Sequence, residues 1–292
     1  KYQIYSGKSL VSERYDPERV KHFTSFTLDQ SVYIEIINLC AKANVEFMAS
    51  IWSERLLDEF DPYVERYKIG SGDITWIQHI KYVASKKKPI LLACGAATLD
   101  DVVRAVKSVL EIHPHIAVLQ CNTNYTGHPD NLDYINLNVI KTLEDMFPDI
   151  CIGLSDHTHG HATVLGAVSL GCRIIEKHFT DDNSRNGPDH GFAMNPLSWK
   201  VMVDTTRELE RALGGGIKTI EKNEEDTSII QRRSIRANKK ICSGEILKDE
   251  VVTMLRPCPA DALEPWELES YLGKKILRDV SKGDYLKASD FE

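Results

Sequence analysis

The feature that most constrains this chain is a repeat. Short apolar or β-branched runs recur at Val45–Ala49, Arg66–Ile69, Pro89–Ala93, Ala117–Gln120, Cys151–Leu154 and Arg173–Glu176, with starts 21 to 34 residues apart. Helically spaced segments fill the gaps at 53–63, 75–86, 98–109, 131–147 and 162–170, with 31–43 before the series and 197–213 after it. Runs this short and apolar suit strands buried on both faces, and parallel pairing needs a crossover helix between them. The pattern therefore predicts an α/β protein with a parallel sheet, either a closed (β/α)8 TIM barrel or an open doubly wound sheet. The barrel is favoured. There is no GxGxxG turn, polar residues follow almost every strand, and the repeat is even. With Lys1–Ile4 as the end of a further strand the count is seven, so the expectation is a barrel lacking its first strand and helix in this chain. An open barrel would expose two unpaired edges, which favours a fragment whose missing pieces lie upstream.

Beyond the glycine run Gly214–Gly216 the composition changes. The expected organisation is a barrel domain over 1–217, a solvated linker over 218–231, and a small, mostly β domain over 232–292 with strand-like runs at Ser234–Ala237, Val251–Leu255 and Lys275–Leu277. About sixty residues make a thin core, so this domain is expected to need a packing partner. The net charge of −7 argues against nucleic-acid or membrane-surface binding. Seven scattered cysteines without a CxxC, no membrane-length apolar run and no leader-like segment lead to the expectation of a cytoplasmic protein with reduced thiols.

Chemistry is expected where polar residues follow strands. His157 and His178 come just after consecutive strands, so their imidazoles can converge on one rim although 21 residues separate them. Such a pair can hold Zn2+, Mn2+ or Fe2+ with positions open to water and substrate; two loop-capping histidines are the plainer reading. His159 and His161 do not form an HExxH helix and are not read as ligands. Lys68, ahead of the Gly70-Ser71-Gly72-Asp73 turn, suits an anion or a Schiff base, or simply snorkels to the rim. Asn122, Thr123, Asn124 and Tyr125 suit hydroxyl recognition or an ordinary turn, and Asp189 a hydroxyl contact, a base or a turn cap.

Taken in order, Lys1-Tyr2-Gln3, Lys68-Ile69-Gly70-Ser71-Gly72-Asp73, Cys121-Asn122-Thr123-Asn124-Tyr125, Ser155-Asp156-His157, Glu176-Lys177-His178-Phe179-Thr180 and Gly187-Pro188-Asp189-His190 resemble the sialic acid synthase family, the N-acetylneuraminate, legionaminate and pseudaminate synthases. Arg233-Ser234-Ile235 and Leu255-Arg256-Pro257 resemble the antifreeze-like SAF domain that follows the barrel in those enzymes. The resemblance spans essentially the whole chain. It implies a transferase that condenses phosphoenolpyruvate with an open-chain N-acetylhexosamine, N-acetylmannosamine or a related sugar, to a nine-carbon acid with release of phosphate. It further implies that His157 and His178 hold a divalent ion, Mn2+ first with Mg2+ or Co2+ as alternatives, beside Lys68 and Asp73 as further catalytic residues. Lys1, Ser50, Lys68, Ser71, Asn122 and Ser155 match phosphoenolpyruvate contacts, and Gln3, Asp73, Tyr125, Asp189 and Arg256 match sugar contacts. Arg256 matches an arginine that enters the partner's barrel, which implies a domain-swapped homodimer.

Two departures stand out. The family's active-site glutamate on the first barrel strand has no counterpart here, and Asp73 stands where some members have glutamate, one methylene longer. The rival readings are a class II aldolase or hydrolase using the same histidines, and an inactive binding or scaffold protein.

Overall fold

A computed structural model describes residues 1–5 and 10–292. The chain divides into two compact units, Lys1–Gly214 and Gly215–Glu292.

In the first unit seven parallel strands pair in chain order: β1 (Tyr2–Ile4), β2 (Ala49–Ile51), β3 (Tyr67–Ile69), β4 (Ile90–Ala93), β5 (Ile116–Cys121), β6 (Cys151–Asp156) and β7 (Ile174–Lys177). Consecutive order without a switch point is what the even repeat predicts. The sheet is strongly curled. Lys68 on β3 lies 3.3 Å from Glu176 on β7, four strand positions away, and Lys1 beside β1 lies 3.1 Å from the same carboxylate. In a flat sheet four steps of about 4.8 Å would put β3 and β7 roughly 19 Å apart. The concave face holds a small cluster of Leu91, Ala117 and Leu119 with Met48 and Ile174. The convex face carries the main core, where Ile90, Leu92 and Val118 meet helix residues such as Ile80, Val106 and Leu143.

Around that face run α1 (Pro17–Ser25), α2 (Gln30–Lys42), α3 (Glu54–Phe60), α4 (Ile77–Ser85), α5 (Leu99–Leu110), α6 (Val139–Met146), α7 (Ala162–Ser169) and α8 (Pro196–Leu213). Capping chemistry sets several starts. Thr98 and Asp101 form a reciprocal box on α5, as Asn195 and Ser198 do on α8, with Pro196 at its first position.

Several elements differ from the sequence expectation. No element is expected before residue 31 apart from the strand at Lys1–Ile4, yet Tyr15-Asp16-Pro17 opens α1: the Asp16 carboxylate accepts from the Arg19 amide at 2.9 Å and Pro17 supplies a helical φ. The strand expected at Val45–Ala49 runs instead over Ala49–Ile51, because its partners Tyr2, Gln3 and Ile4 pair with Ala49, Ser50 and Ile51. The single helix expected over 131–147 is split into a 3-10 turn, Pro129–Tyr134, and α6, with Asn136 at a left-handed φ of 49° between them.

The second unit starts with a 3-10 turn, Lys222–Glu224, and α9 (Glu225–Gln231), so the polar stretch read as linker is partly helical. An antiparallel pair, β8 (Ser234–Ala237) and β9 (Val252–Leu255), follows, with a short helix, α10 (Leu268–Tyr271), beyond it. Around Lys275–Leu277 single bridges replace a strand, linking Lys275 to Ile246 and Ile276 to Phe291. Ile235, Ile241, Leu247, Ile276, Val280 and Leu286 close a core of the unit's own.

One glycine is required by contact. A Cβ on Gly153 of β6 would lie 2.5 Å from the Ile174 carbonyl oxygen and 3.0 Å from Ile174 Cβ on β7. Gly153→Ala should therefore cost about 1–3 kcal/mol, the usual penalty of overpacking. Urea unfolding would show a lower midpoint at unchanged slope; an unmoved midpoint refutes the close approach.

Candidate active site

The carboxyl ends of the strands carry three linked groups of side chains.

The first is cationic. Lys68 is almost fully buried and its ammonium meets the Ile69 carbonyl at 3.1 Å and Glu176 at 3.3 Å, while Lys1 takes the other carboxylate oxygen at 3.1 Å. Burial pushes the Lys68 ammonium below its ordinary pKa, and Glu176 opposes that shift. Burial would raise the Glu176 carboxyl, but Lys68 and Lys1, helped by Ser155, outweigh it and hold the group at about 2. Ser71 accepts from the Gly95 amide at 3.0 Å, and the Ser50 hydroxyl is buried without a partner among the described residues.

The second group is the histidine pair. Parallel register places Ser155 opposite Glu176 and Asp156 opposite Lys177, so His157 and His178 emerge side by side at the next position. Their ring centroids are 5.0 Å apart. His157 Nδ1 lies 2.7 Å from the Asn122 carbonyl and His178 Nδ1 lies 3.2 Å from Asp189, which leaves each Nε2 without a protein hydrogen bond among the described residues. Burial lowers the pKa of His157 and favours neutral imidazole, while the hydrogen bond with His178 holds the Asp189 carboxyl below its ordinary pKa. Tyr125 packs 4.3 Å from the His157 ring and 5.8 Å from that of His178, and Phe192 closes the other side at 6.1 and 5.2 Å. The Cys121 thiol, 3.9 Å from His157 Nδ1, joins this pair to the cationic group.

The third group is Asp73, whose carboxylate accepts from the Trp52 indole N–H. Burial raises the Asp73 pKa, against the hydrogen bond from Trp52.

Of the residues expected from sequence, Lys1, Lys68 and Ser155 converge on Glu176, and His157, His178, Asn122, Tyr125 and Asp189 converge on one another. Gln3 engages through its backbone, whose carbonyl accepts from the Tyr33 hydroxyl at 3.0 Å. Arg256 belongs to the second unit, where its Nε donates to the Gln231 carbonyl at 2.6 Å. His159 approaches Gly127, and His161 stands at the N-cap position of α7 without a side-chain capping bond. Glu176, Trp52, Asp156 and Lys177 were not expected as site residues. A charged residue ending an otherwise apolar strand was the available signal for three of them.

Among the described residues no cluster of three or more histidine, cysteine or acidic side chains could enclose a metal. The two free Nε2 atoms, each with its Nδ1 already engaged, are nonetheless the donor arrangement that ligating histidines present, so the residues suit a divalent ion completed by other ligands. All seven cysteines are unpaired, and no helix among the described residues is long and apolar enough to cross a membrane.

A curled parallel sheet whose carboxyl-end rim joins a buried lysine to paired imidazoles defines an α/β protein of the barrel type with its polar groups gathered at one rim. The chain belongs to the NeuB family, whose model matches residues 1–218, and carries a SAF domain over 232–292. It is similar to N,N'-diacetyllegionaminic acid synthase of Campylobacter jejuni, 30% identical over 98% of this chain and 89% of that one. It is equally similar to human N-acetylneuraminate-9-phosphate synthase, 30% identical over 96% of this chain and 76% of the relative. Among solved structures, N-acetylneuraminic acid synthetase of Leptospira borgpetersenii superposes with a TM-score of 0.71 at 26% identity, covering 77% of each chain. These likenesses support an enzymatic, sialic-acid-synthase-like role.

The Glu176 carboxylate links pH to stability. Its folded pKa lies below the ordinary 4.5, so its contribution is present above about pH 4.5 and is lost as pH falls towards 2. Glu176→Gln should lower stability near neutrality by about 2–3 kcal/mol, an order-of-magnitude figure, with the gap to the parent closing over that acid window. Urea midpoints measured from pH 2 to 7 test this; a gap independent of pH sinks it.

Proposed function

We propose that this protein condenses phosphoenolpyruvate with the aldehyde of an open-chain N-acylhexosamine, N-acetylmannosamine or a close relative, forming a nonulosonic acid and inorganic phosphate. The observation that carries the reading is the adjacency of two partly freed imidazoles to a two-lysine seat in which Lys68 is buried. Phosphoenolpyruvate is nearly trianionic, and removing it from water requires several donors. Lys1 and Lys68 supply charge, and the hydroxyls of Ser50, Ser71 and Ser155 with the Asn122 amide supply hydrogen bonds. The partnerless Ser50 hydroxyl favours this assignment, since a buried donor left unpaired costs about 1–3 kcal/mol.

His157 and His178 would hold the divalent ion, with Mn2+ first and Mg2+ or Co2+ as alternatives. Bound there, the ion would act as a Lewis acid towards the sugar's aldehyde oxygen. The chain's own residues orient the partners. The Asn122 carbonyl and Asp189 fix the two imidazole tautomers, and Tyr125 and Phe192 confine the rings. Gln3, Tyr125 and Asp189 present polar groups for the sugar hydroxyls. Asp73, its pKa raised by burial and its carboxylate held by Trp52, would hold or exchange a proton as water adds and phosphate leaves.

Arg256 is assigned to the sugar's N-acyl group of a partner subunit in a domain-swapped homodimer. Its Nη groups make no hydrogen bond among the described residues and its side chain is exposed, which suits a role outside its own unit. The domain limits 1–217, 218–231 and 232–292 and a cytoplasmic setting complete the reading. The seven unpaired thiols support that setting.

The decisive assay is phosphate release that requires both phosphoenolpyruvate and an N-acylhexosamine, with the nine-carbon product found by mass. His178→Ala should lower turnover at least 100-fold with circular dichroism unchanged, and chelation of divalent ions should abolish it. Undiminished turnover in the folded variant, or phosphate release from phosphoenolpyruvate alone, overturns the assignment.

A further inference from the structure

The most completely buried charges in the first unit touch neither the anion seat nor an imidazole. Lys177 and Asp156 pair at 2.6 Å with side chains 1% and 0% exposed. Strand alternation puts them on the face opposite Ser155 and Glu176, towards the helical layer, and Thr163 in the first turn of α7 confirms it by donating to Asp156 at 2.6 Å.

The pair's contacts are concentrated around the histidines. Asp156 accepts from the Thr158 amide at 3.1 Å and from the Thr158 hydroxyl at 2.9 Å, and Lys177 donates to the Thr158 carbonyl at 2.8 Å. His157 is thus bracketed by two residues that the pair holds, and Lys177 directly precedes His178. Stability alone does not account for such an arrangement. A buried ion pair recovers its desolvation only with good geometry, and apolar side chains of similar volume often do as well or better. What an apolar pair cannot do is fix two backbone groups and a hydroxyl of one turn in direction.

We propose that Asp156 and Lys177 are positioning residues that set the separation and aim of the His157 and His178 imidazoles from behind the sheet, so that the two Nε2 atoms form one divalent-cation site. The proposal rests on the reading of these histidines as metal-holding. The pair touches no substrate and takes no part in proton transfer. It acts as a brace across two strand ends, one step removed from the ligands, where loss of support typically weakens metal affinity 10- to 100-fold.

The test uses the full chain and Mn2+ alone, with free Mn2+ followed by electron paramagnetic resonance and folding by near-UV circular dichroism and thermal melting. Asp156→Asn combined with Lys177→Met removes both charges while keeping an acceptor for the Thr158 and Thr163 donors. The expected result is a cooperatively folded protein whose Kd for Mn2+ is at least 10-fold higher than the parent's. A folded double variant with the parent's Kd overturns the brace, since a merely structural role moves the melting temperature and leaves affinity alone. If the double variant does not fold, Thr163→Val decides, because it deletes one hydrogen bond to Asp156 and leaves the ion pair. A Kd raised about 3-fold or more supports the proposal on the same scale, and an unchanged one overturns it. His178→Ala separates this from the underlying reading. If it binds Mn2+ as the parent does, the metal assignment fails and takes the brace with it; if it loses Mn2+ while the braceless variants keep it, only the brace fails.

Discussion

The site depends on the parallel pairing of β6 with β7. Their register sets Ser155 beside Glu176 and Asp156 beside Lys177, and the two histidines are simply what comes next. A slip of β7 by one residue would send its side chains to the opposite face, carrying the His178 imidazole to the helical layer and Lys177 to the concave rim. Gly153 permits the register at its tightest point, where the Ile174 backbone occupies the space a side chain would need. Backbone pairing, not local loop preference, is what makes two histidines far apart in the chain into neighbours.

The curl of the sheet adds the second ingredient. By bringing β3 and β1 round to β7 it puts two ammonium groups on one carboxylate. Without that carboxylate, the buried Lys68 would face the full cost of desolvation. Glu176 therefore acts as an internal counter-ion that opposes the desolvation of Lys68. The same strand pair thus joins an ion cluster on each face, Glu176 with the two lysines towards the concave rim and Asp156 with Lys177 towards the helices.

Much of this was legible in the sequence. The even spacing of apolar runs gave seven strands in order, and the polar residues after them pointed to the carboxyl-end rim. His157, His178, Asn122, Tyr125 and Asp189 were singled out on that ground, and the fold brings them close to one another. What escaped was set by contacts distant in sequence. Nothing in the sequence joins Trp52 to Asp73, which accepts from its indole N–H, or Asp156 to Lys177, which the register buries together. The polar opening of α1 was missed for a different reason: Asp16-Pro17 is a helix-start signal, but the segment behind it lacks a strong apolar stripe.

The position of Thr163 has a wider bearing. A hydroxyl on the outer helical layer is joined through Asp156 to the turn that bears His157. Exchanges in that layer are tolerated more readily than changes in residues that line the rim, because no ligand meets them there. A lineage of such proteins can therefore adjust the spacing of its imidazoles by drift in the helical shell while every side chain facing the reactants stays the same.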